Sequence, residues 1–418
     1  MIRQISIFFL FSLQCFLIVK GKSLFGLDGN PFVFFILSLF IAFLYHKTVI
    51  KNTSGSTAPV SKPVNPFLAF LLGLLPFILL LTLINMMFLE YPNFANESDV
   101  IPQLDALYTR WHSGEFPYHS LPQFSWRPFP VYMPMHWLPL AIPHWLHIDI
   151  RWIGVILLAI ANGIWAIHVT QKSTTILTTA LGIGMPAVAV AFFFMWASFD
   201  VCITIETIIC AYYLVLATGL ASRNIWLTTV GIILCLLSRY VLVFWLPLFA
   251  VLLWMNKPMK TNLAVWGSVI LAVLCIYIIP FYAVDPTILK NGITYHNECA
   301  IAEWNSDPLE SWTFKSGIYF APYIKALTWG TMEHRVFIAR CVQGAVMLGL
   351  CIGGITAYRK KKSSVNFYDY SLLFLYLTVF LFYMFSPLTY KYYYIVLMML
   401  SAVICFKTMS QMKTSSNK

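Results

Sequence analysis

The feature that most constrains this chain is a series of apolar segments long enough to cross a lipid bilayer. A bilayer core about 30 Å thick takes roughly 20 residues of helix, and a chain in lipid must satisfy its own backbone hydrogen bonds. The pattern therefore predicts an all-α, polytopic integral membrane protein. About twelve transmembrane helices are predicted, at about 5–19, 31–46, 66–89, 151–168, 174–197, 201–219, 225–238, 240–255, 263–281, 335–357, 367–385 and 392–407.

The composition predicts the same class of protein. Hydrophobic residues make up 60% of the 418 residues and charged residues only 10%, far from the composition of a soluble globular domain. A net charge of +11 would favour nucleic acid as the partner of a soluble protein. In a chain dominated by apolar helices we expect membrane lipids, and no nucleic acid, as partners.

Basic residues predict which segments face the cytoplasm, because short cytoplasmic loops are enriched in Lys and Arg. With the N-terminus inside, the basic cluster 359–362 is also inside only if the apolar stretch 225–255 is divided at Arg239. We therefore expect cytoplasmic N- and C-termini, with Asp369 as the only acid on that side. A bacterial inner membrane is expected, and an endoplasmic reticulum membrane stays open.

Three parts are predicted along the chain: an N-terminal transmembrane hairpin at 1–50, a cytoplasmic linker at 51–65 and a main transmembrane domain at 66–418. Two long extracytoplasmic loops, 90–150 and 282–334, are expected to contain short interfacial helices. The segment Ile5–Val19 is similar to the apolar core of a signal peptide, but Lys20, Gly21 and Lys22 replace a cleavage site, so we expect it to be retained. The nine cysteines form no CxxC pair and predict no disulfide framework.

The first long loop concentrates polar residues in an otherwise apolar chain. Asp99 lies about one helical turn beyond the helix predicted at 66–89. A carboxylate that is partly shielded from water at the membrane surface can act as a general base. The structural alternatives are an ordinary solvated acid or an N-cap, since Ser98 and Asp99 precede a short helix predicted from Ile101 to His112.

The sequence after Asp99 contains a Gly-x-x-Pro-Tyr turn and an aromatic-x-Pro motif that leads into a proline-punctuated amphipathic helix. Over about fifty residues the chain resembles the polyprenyl-phosphate-sugar-dependent glycosyltransferases of the GT-C fold, especially their bacterial α-mannosyltransferase-like branch. The chain departs from that pattern at Val100-Ile101-Pro102, where the family has an aromatic residue, and at Met133, where it has a second proline. The residues that carry the resemblance are Asp99, Tyr108, Gly114, Pro117, Tyr118, Tyr132, Pro134 and Pro139.

The resemblance implies inverting transfer of one sugar, mannose or another hexose, from a polyprenyl-phosphate-sugar donor to an extracytoplasmic glycolipid or glycan acceptor. Asp99 would be the general base, with Asp105 in reserve. Arg239 and Lys391 would bind the donor phosphate, since cations at the headgroup level stabilise a leaving phosphate. No cofactor is implied. Contacts to the sugar or acceptor are expected from Tyr118, Tyr132, Asp200 and Glu206.

Each of these ionisable residues also has a structural alternative. Asp200 can be a solvated loop acid, and Glu206 can be a neutral acid that is hydrogen-bonded in the core. Arg239 and Lys391 can be interfacial residues whose charged ends reach the membrane surface, as basic residues near helix ends commonly do.

Histidines in the first loop raise the question of a metal. His144 and His147 share a helical face, but no Asp, Glu or Cys spacing completes a recognised site. Packing of an amphipathic helix at the membrane interface is the favoured role, and no metal is predicted. The second loop mixes acidic and aromatic residues that the sequence does not rank: Asp285, His296, Glu298, Glu303, Trp304, Asp307, Glu310, Trp312 and His334.

A transporter or flippase for a lipid-linked sugar or small solute is the alternative function. Such a protein needs ionisable residues near the bilayer midplane, where the sequence offers only Glu206 and Arg340. A non-catalytic membrane scaffold is a third possibility, and it predicts tolerance to changes at both Asp99 and Arg239.

Overall fold

The protein is an α-helical membrane protein. The computed structural model describes residues 2–50, 64–92, 98–122, 124, 126–173, 175–307, 309–362 and 365–411, and no strand occurs in these ranges. All but the last two residues of the predicted linker at 51–65 lie outside the described residues.

Seventeen α-helices occur in the described part of the chain. They are α1 Ile2–Tyr45, α2 Pro66–Glu90, α3 Val100–His112, α4 Pro134–Trp137, α5 Ala141–Leu146, α6 Trp152–Lys172, α7 Ile176–Trp196, α8 Ser198–Cys202, α9 Glu206–Ser222, α10 Ile225–Leu236, α11 Leu246–Asn256, α12 Met259–Val273, α13 Ile288–Asn305, α14 Ala321–Leu327, α15 Met332–Lys361, α16 Phe367–Met384 and α17 Tyr394–Gln411. A π-helix, Leu274–Tyr282, continues α12, and short 3₁₀ segments lie at Tyr240–Phe244 and Lys391–Tyr393.

Each of the twelve predicted apolar segments contains helix in its described residues. The number of membrane crossings does not follow from this. Eight helical stretches of the described chain are long and apolar enough to cross a membrane, while α9, α10 and α11 are shorter apolar helices. The first of the eight, Ile2–Ile50, contains two of the predicted segments. The count of twelve crossings therefore stays a prediction.

The N-terminal helix α1 bends sharply at Gly26, where φ is 72° and ψ is 178°. This backbone conformation is essentially restricted to glycine. The two arms fold back on each other: Gln14 Nε2 donates to Ser38 Oγ at 2.8 Å and Asn30 Nδ2 to the Leu17 carbonyl at 3.2 Å. The hairpin packs against α7, α16 and α17 as part of the helical bundle.

The bundle has two different polar ends. One, the basic end, carries Asp369, whose carboxylate forms ion pairs with Arg223 at 3.1 Å and with Lys407. The opposite end, the loop end, carries both long loops and the bend of α1, which meets the second loop where Asn30 Nδ2 donates to the Gly317 carbonyl at 2.8 Å. Which end faces the cytoplasm stays a prediction.

Helices differ strongly in how much of their surface the protein covers. Nearly all residues of α9 and α17 are buried, whereas α2, α12 and α15 expose most of their apolar side chains. Exposed apolar helix surface is what lipid would cover. The loop-end termini of α9 and α17 therefore lie at the centre of the bundle, directly beneath the long loops.

A buried arginine holds the loop end of α2 to the short helix α8. Arg151 donates to the backbone carbonyls of Tyr91 at 2.6 Å, Phe88 at 3.0 Å and Cys202 at 3.2 Å. Its charge is balanced by Asp149, whose carboxylate oxygen lies 2.5 Å away. Hydrogen bonds to a charged donor are stronger than neutral ones, so Arg151 fixes the position of α8 beside the site described next.

Candidate functional site

A cavity of about 610 Å³ lies at the loop end of the bundle. We call it the loop-end cavity. Its walls come from the start of α3, the segment 126–132, the region of α8, one face of α13 and the segment 388–393. The polar and aromatic residues that line it are Ser98, Asp99, Gln103, Trp126, Tyr132, Asp200, Tyr295, His296, Glu298, Cys299, Glu303, Ser306, Trp312, Tyr390, Lys391, Tyr392 and Tyr393.

The start of α3 presents Asp99 and Gln103 on one face, because residues four apart on a helix are neighbours. Asp99 occupies the N-cap position, but its side chain makes no capping hydrogen bond. The Ser98 hydroxyl accepts from the backbone N–H of Val100 at 3.2 Å instead. The side chain of Asp99 therefore does not cap the helix, and Asp99 lines the loop-end cavity.

The Asp99 carboxylate is held on one oxygen and open on the other. Trp126 Nε1 donates to Oδ2 at 3.2 Å and the Tyr295 hydroxyl donates to the same oxygen at 3.4 Å. No hydrogen bond to Oδ1 is present among the described residues. The two loops thus orient this carboxylate from both sides and leave one oxygen able to accept a proton.

Gln103 is the most deeply buried polar residue of the cavity wall. It is 2% exposed, and its Oε1 has no hydrogen-bond partner. A buried acceptor without a donor costs about 1–3 kcal/mol. This oxygen is itself closed to solvent, so an occupant of the cavity does not reach it while the side chain stays in this position.

The second long loop contributes one face of α13. Tyr295, Glu298, Cys299, Glu303 and Ser306 line the cavity, at spacings of three or four residues along the helix. The carboxylate of Glu303 accepts hydrogen bonds from the Ser311 hydroxyl and, at 3.3 Å, from the backbone N–H of Thr313. These bonds hold the next part of the loop against the cavity.

Asp200 and Lys391 form an ion pair across the cavity, with Lys391 Nζ 3.5 Å from Asp200 Oδ2. Burial raises the pKa of the Asp200 carboxyl, and the nearby Lys391 ammonium opposes that rise. Asp200 comes from the short helix α8, and Lys391 comes from the 3₁₀ segment just before α17. The structure thus brings these two predicted site residues together.

Arg239 and Glu206 form a second ion pair, behind the cavity wall. Arg239 Nη2 donates to Glu206 Oε2, and its guanidinium lies 4.3 Å from the centre of the Tyr393 ring. Tyr393 lines the cavity, whereas Arg239 and Glu206 do not. In the structure, Arg239 contacts a carboxylate, where the sequence predicts a phosphate, because the first residue of α9 lies beside the break that follows α10.

Asp105 and Tyr118, also predicted as site residues, do not line the loop-end cavity. Asp105 Oδ1 lies 2.8 Å from His144 Nε2, so the reserve base is engaged by the amphipathic segment. Tyr118 is buried, and its hydroxyl donates to the Tyr132 carbonyl at 3.0 Å. Tyr118 thus supports the stretch of loop that carries Tyr132, which does line the cavity.

The carboxylates around α13 give the cavity a negative potential. Burial raises the pKa of the Cys299 thiol to about 11, and the nearby charges of Asp99, Glu298 and Glu303 add to the rise. The pKa of the Tyr295 hydroxyl is likewise raised, first by burial. Negative charge nearby disfavours each of these anionic forms.

Arg340 is a cation near the loop-end cavity. From the sequence it was predicted only to lie near the bilayer midplane. It lies on the inward stripe of α15, about 12 Å along the helix from Met332 at 1.5 Å per residue. Its Nη2 lies 3.0 Å from Nδ1 of His296. Burial, followed by the Arg340 charge, lowers the pKa of His296 to about 4. Within the described ranges Arg340 has no carboxylate partner.

In the part of the chain that the structure describes, no group of three or more His, Cys, Asp or Glu side chains is arranged to hold a metal ion. No protein-family model, no curated protein and no solved structure matches this chain.

Proposed function

We propose that this protein is a membrane glycosyltransferase that moves one sugar from a polyprenyl-phosphate-sugar donor to a glycolipid or glycan acceptor. The observation that carries the proposal is the Asp99 carboxylate, held by Trp126 and Tyr295 at the wall of a cavity of about 610 Å³, with Oδ1 open. A cavity of this size lies within the range of small-molecule sites, roughly 300–1,000 Å³. The aromatic wall suits the apolar faces of a sugar ring.

In the proposed reaction Asp99 Oδ1 takes the proton of an acceptor hydroxyl. The acceptor oxygen attacks the anomeric carbon of the donor sugar as the bond from that carbon to the phosphate oxygen breaks. The bonding electrons leave with the lipid phosphate, and the configuration at the anomeric carbon inverts. General-base catalysis of this kind typically contributes about 10²–10⁴-fold to the rate.

The leaving lipid phosphate needs cations, and three basic residues are candidates to supply them. Lys391 lies in the cavity wall, where Asp200 is its partner. Arg340 on α15 lies beside His296 of the wall and has no carboxylate partner in the described ranges. Arg239 is paired with Glu206 and does not line the cavity, so it reaches a phosphate there only after a rearrangement. We assign the phosphate to Lys391 and Arg340 first, and to Arg239 only with such a rearrangement.

The proposal includes the sidedness of the reaction. Basic residues at the opposite end of the bundle, including Arg223 and Lys407, favour that end as cytoplasmic. The loop-end cavity would then open outside the cytoplasm, with both termini inside, in a bacterial inner membrane. Mannose or another hexose is the proposed sugar, and no cofactor takes part.

The decisive experiment is the Asp99→Asn variant in proteoliposomes supplied with radiolabelled polyprenyl-phosphate mannose or glucose and a glycolipid acceptor. Loss of the base should reduce transfer by at least about 100-fold. Glu310→Gln is the matched control, because Glu310 is an exposed acid of the second loop that does not line the cavity. Undiminished transfer by a well-folded Asp99→Asn protein would reject the proposal.

A transporter or flippase of a lipid-linked sugar is the second candidate. Arg340 favours it, because a cation without a carboxylate partner on the inward face of a membrane helix is a common feature of substrate pathways. Sealed proteoliposomes separate the two functions: movement of the labelled lipid across the bilayer without a covalent product supports transport.

A further inference from the structure

We infer, on the basis of the proposed function, that one of the two substrates carries a protonated amine that binds in the loop-end cavity beside Glu298. The ligand class would be an amino sugar or another amine-bearing headgroup. Two features of the cavity wall support this: its charge, which includes the carboxylate of Glu298 that is unpaired among the described residues, and its aromatic surface.

The charge of the wall is negative. Four carboxylates line the cavity, at Asp99, Asp200, Glu298 and Glu303, against the single ammonium of Lys391. Two further cations stand behind this wall, Lys315 over the Trp312 ring at 3.2 Å and Arg340 beside His296 at 3.0 Å. Even with both included, four carboxylates face three cations.

The carboxylates are not equally engaged. Asp200 pairs with Lys391, and Glu303 accepts hydrogen bonds from Ser311 and Thr313. Glu298 has neither an ion pair nor a side-chain hydrogen bond within the described ranges. It lies on the cavity face of α13, one residue before Cys299. After burial, the charges of Glu298 and two other carboxylates contribute to the raised pKa of the Cys299 thiol. Glu298 is therefore the carboxylate available to a ligand cation.

The carboxylate oxygens of the wall also favour an ammonium group over a hydroxyl. An ammonium group has three donors and no acceptor, whereas a hydroxyl brings acceptor lone pairs of its own.

The aromatic residues of the wall favour the same ligand. Tyr390 and Tyr392 stack with ring centres 5.5 Å apart, and Tyr393 packs edge-on against Tyr392 at 4.7 Å. Aromatic faces attract cations through the ring quadrupole, and combinations of aromatic rings are used to bind ammonium ligands. A carboxylate-bearing sugar would meet repulsion from Glu298 and Asp99 and gain nothing from these rings.

The test compares three monosaccharides that share a ring and differ in charge: D-glucosamine, D-glucose and D-glucuronate. Binding to the full-length protein in lipid nanodiscs is measured by equilibrium dialysis at mildly acidic pH, where the amine is protonated. Glucosamine should bind at least about tenfold more tightly than glucose, which corresponds to about 1.4 kcal/mol. Glucuronate should bind more weakly than glucose, and added salt should reduce the preference for glucosamine.

Two variants locate the amine. Glu298→Gln should lower the affinity for glucosamine about fivefold or more and leave glucose binding unchanged. Glu310→Gln, which removes an exposed acid outside the cavity, should change neither. Equal binding of the three sugars, no binding of glucosamine, or an unchanged preference in the folded Glu298→Gln protein would each overturn the inference.

The outcome is separable from that of the transfer assay. A glucosamine preference that depends on Glu298, without any sugar transfer, would leave the ligand class standing and reject the enzyme. Transfer that depends on Asp99, without a glucosamine preference, would support the enzyme and reject the amine.

Discussion

The ion pair between Glu206 and Arg239 can be tested by removing one charge and then both. The side chain of Glu206 is 1% exposed and that of Arg239 is 17% exposed. Arg239→Gln leaves a buried carboxylate without its cation, and loss of one partner of a buried pair costs about 3–5 kcal/mol. The double variant Glu206→Gln, Arg239→Gln removes both charges and should stay within about 1–2 kcal/mol of the original protein.

Stability can be measured in detergent micelles by denaturant unfolding followed by tryptophan fluorescence. The double variant should be more stable than Arg239→Gln by about 2–3 kcal/mol. Adding the single variant Glu206→Gln completes a double-mutant cycle, which gives the coupling energy between the two sites. Lys290→Gln removes an exposed cation of α13 and serves as the control. If Arg239→Gln and the double variant were equally stable, the pair would not have the structural role described above.

The same double variant also tests the function of Arg239. A folded double variant that keeps sugar transfer would show that Arg239 acts through Glu206 to support the cavity wall. A folded double variant that loses transfer while Glu206→Gln alone retains it would show that the guanidinium meets the donor phosphate.

Four further substitutions test other parts of the structure. Asp369→Asn at the basic end should cost about 3–5 kcal/mol, because it leaves the buried ammonium of Lys407 without a carboxylate; unchanged denaturant stability would contradict this pairing. Gly26→Ala should cost about 1–3 kcal/mol, because φ of 72° with ψ of 178° is strained for alanine. Gly267→Ala, within α12 and with open space around its Cβ, should stabilise by about 0.5–1 kcal/mol. The pKa of His296 is lowered to about 4 in the folded protein. Between about pH 6.5 and pH 4 this residue binds a proton in the unfolded chain but not in the folded protein, so the free energy of unfolding should fall as the pH drops through that range. The loss is up to about 3 kcal/mol, and His296→Gln should remove that part of the pH dependence; an identical pH profile would contradict it.

The positions of the helices were predictable, because apolar segments in lipid leave the backbone no alternative to helix. The breaks at Arg239 and at Ser386-Pro387 were also visible, since each interrupts an apolar stretch, and the structure has helix ends at both. The sharp bend at Gly26 lies between two predicted helices. How many of the short helices cross the bilayer depends on their tilt and neighbours, which apolar length alone does not define.

The candidate site was predictable in part. Asp99, Tyr132, Asp200 and Lys391 line the cavity. Asp99, Asp200 and Lys391 were predicted because they are charged residues beside apolar helices, and Tyr132 was predicted from the aromatic-x-Pro motif. The face of α13 was missed, although the spacing of its cavity residues from Tyr295 to Ser306 follows the helical period. The composition of that loop, a mixture of acidic and aromatic residues, did not distinguish residues that line a cavity from residues that face solvent.

Pairings between distant residues account for the remaining differences. Arg239 meets Glu206, 33 positions away, and Asp105 meets His144, 39 positions away. Both pairs depend on how the helices pack, and an isolated segment carries no signal of its partner. Two of the residues predicted as site residues from their charge, Arg239 and Asp105, therefore already have a partner within the protein.

The hairpin of α1 has a consequence for how the protein is made. Gln14 accepts a hydrogen bond from Ser401 at 2.7 Å, across 387 positions of the chain. At about 5–20 residues per second of synthesis, the hairpin waits roughly 20–80 s in the membrane before its final partner emerges. During that time the amide of Gln14 would be costly in lipid, and its hydrogen bond to Ser38 of the other arm, at 2.8 Å, is the contact that can protect it.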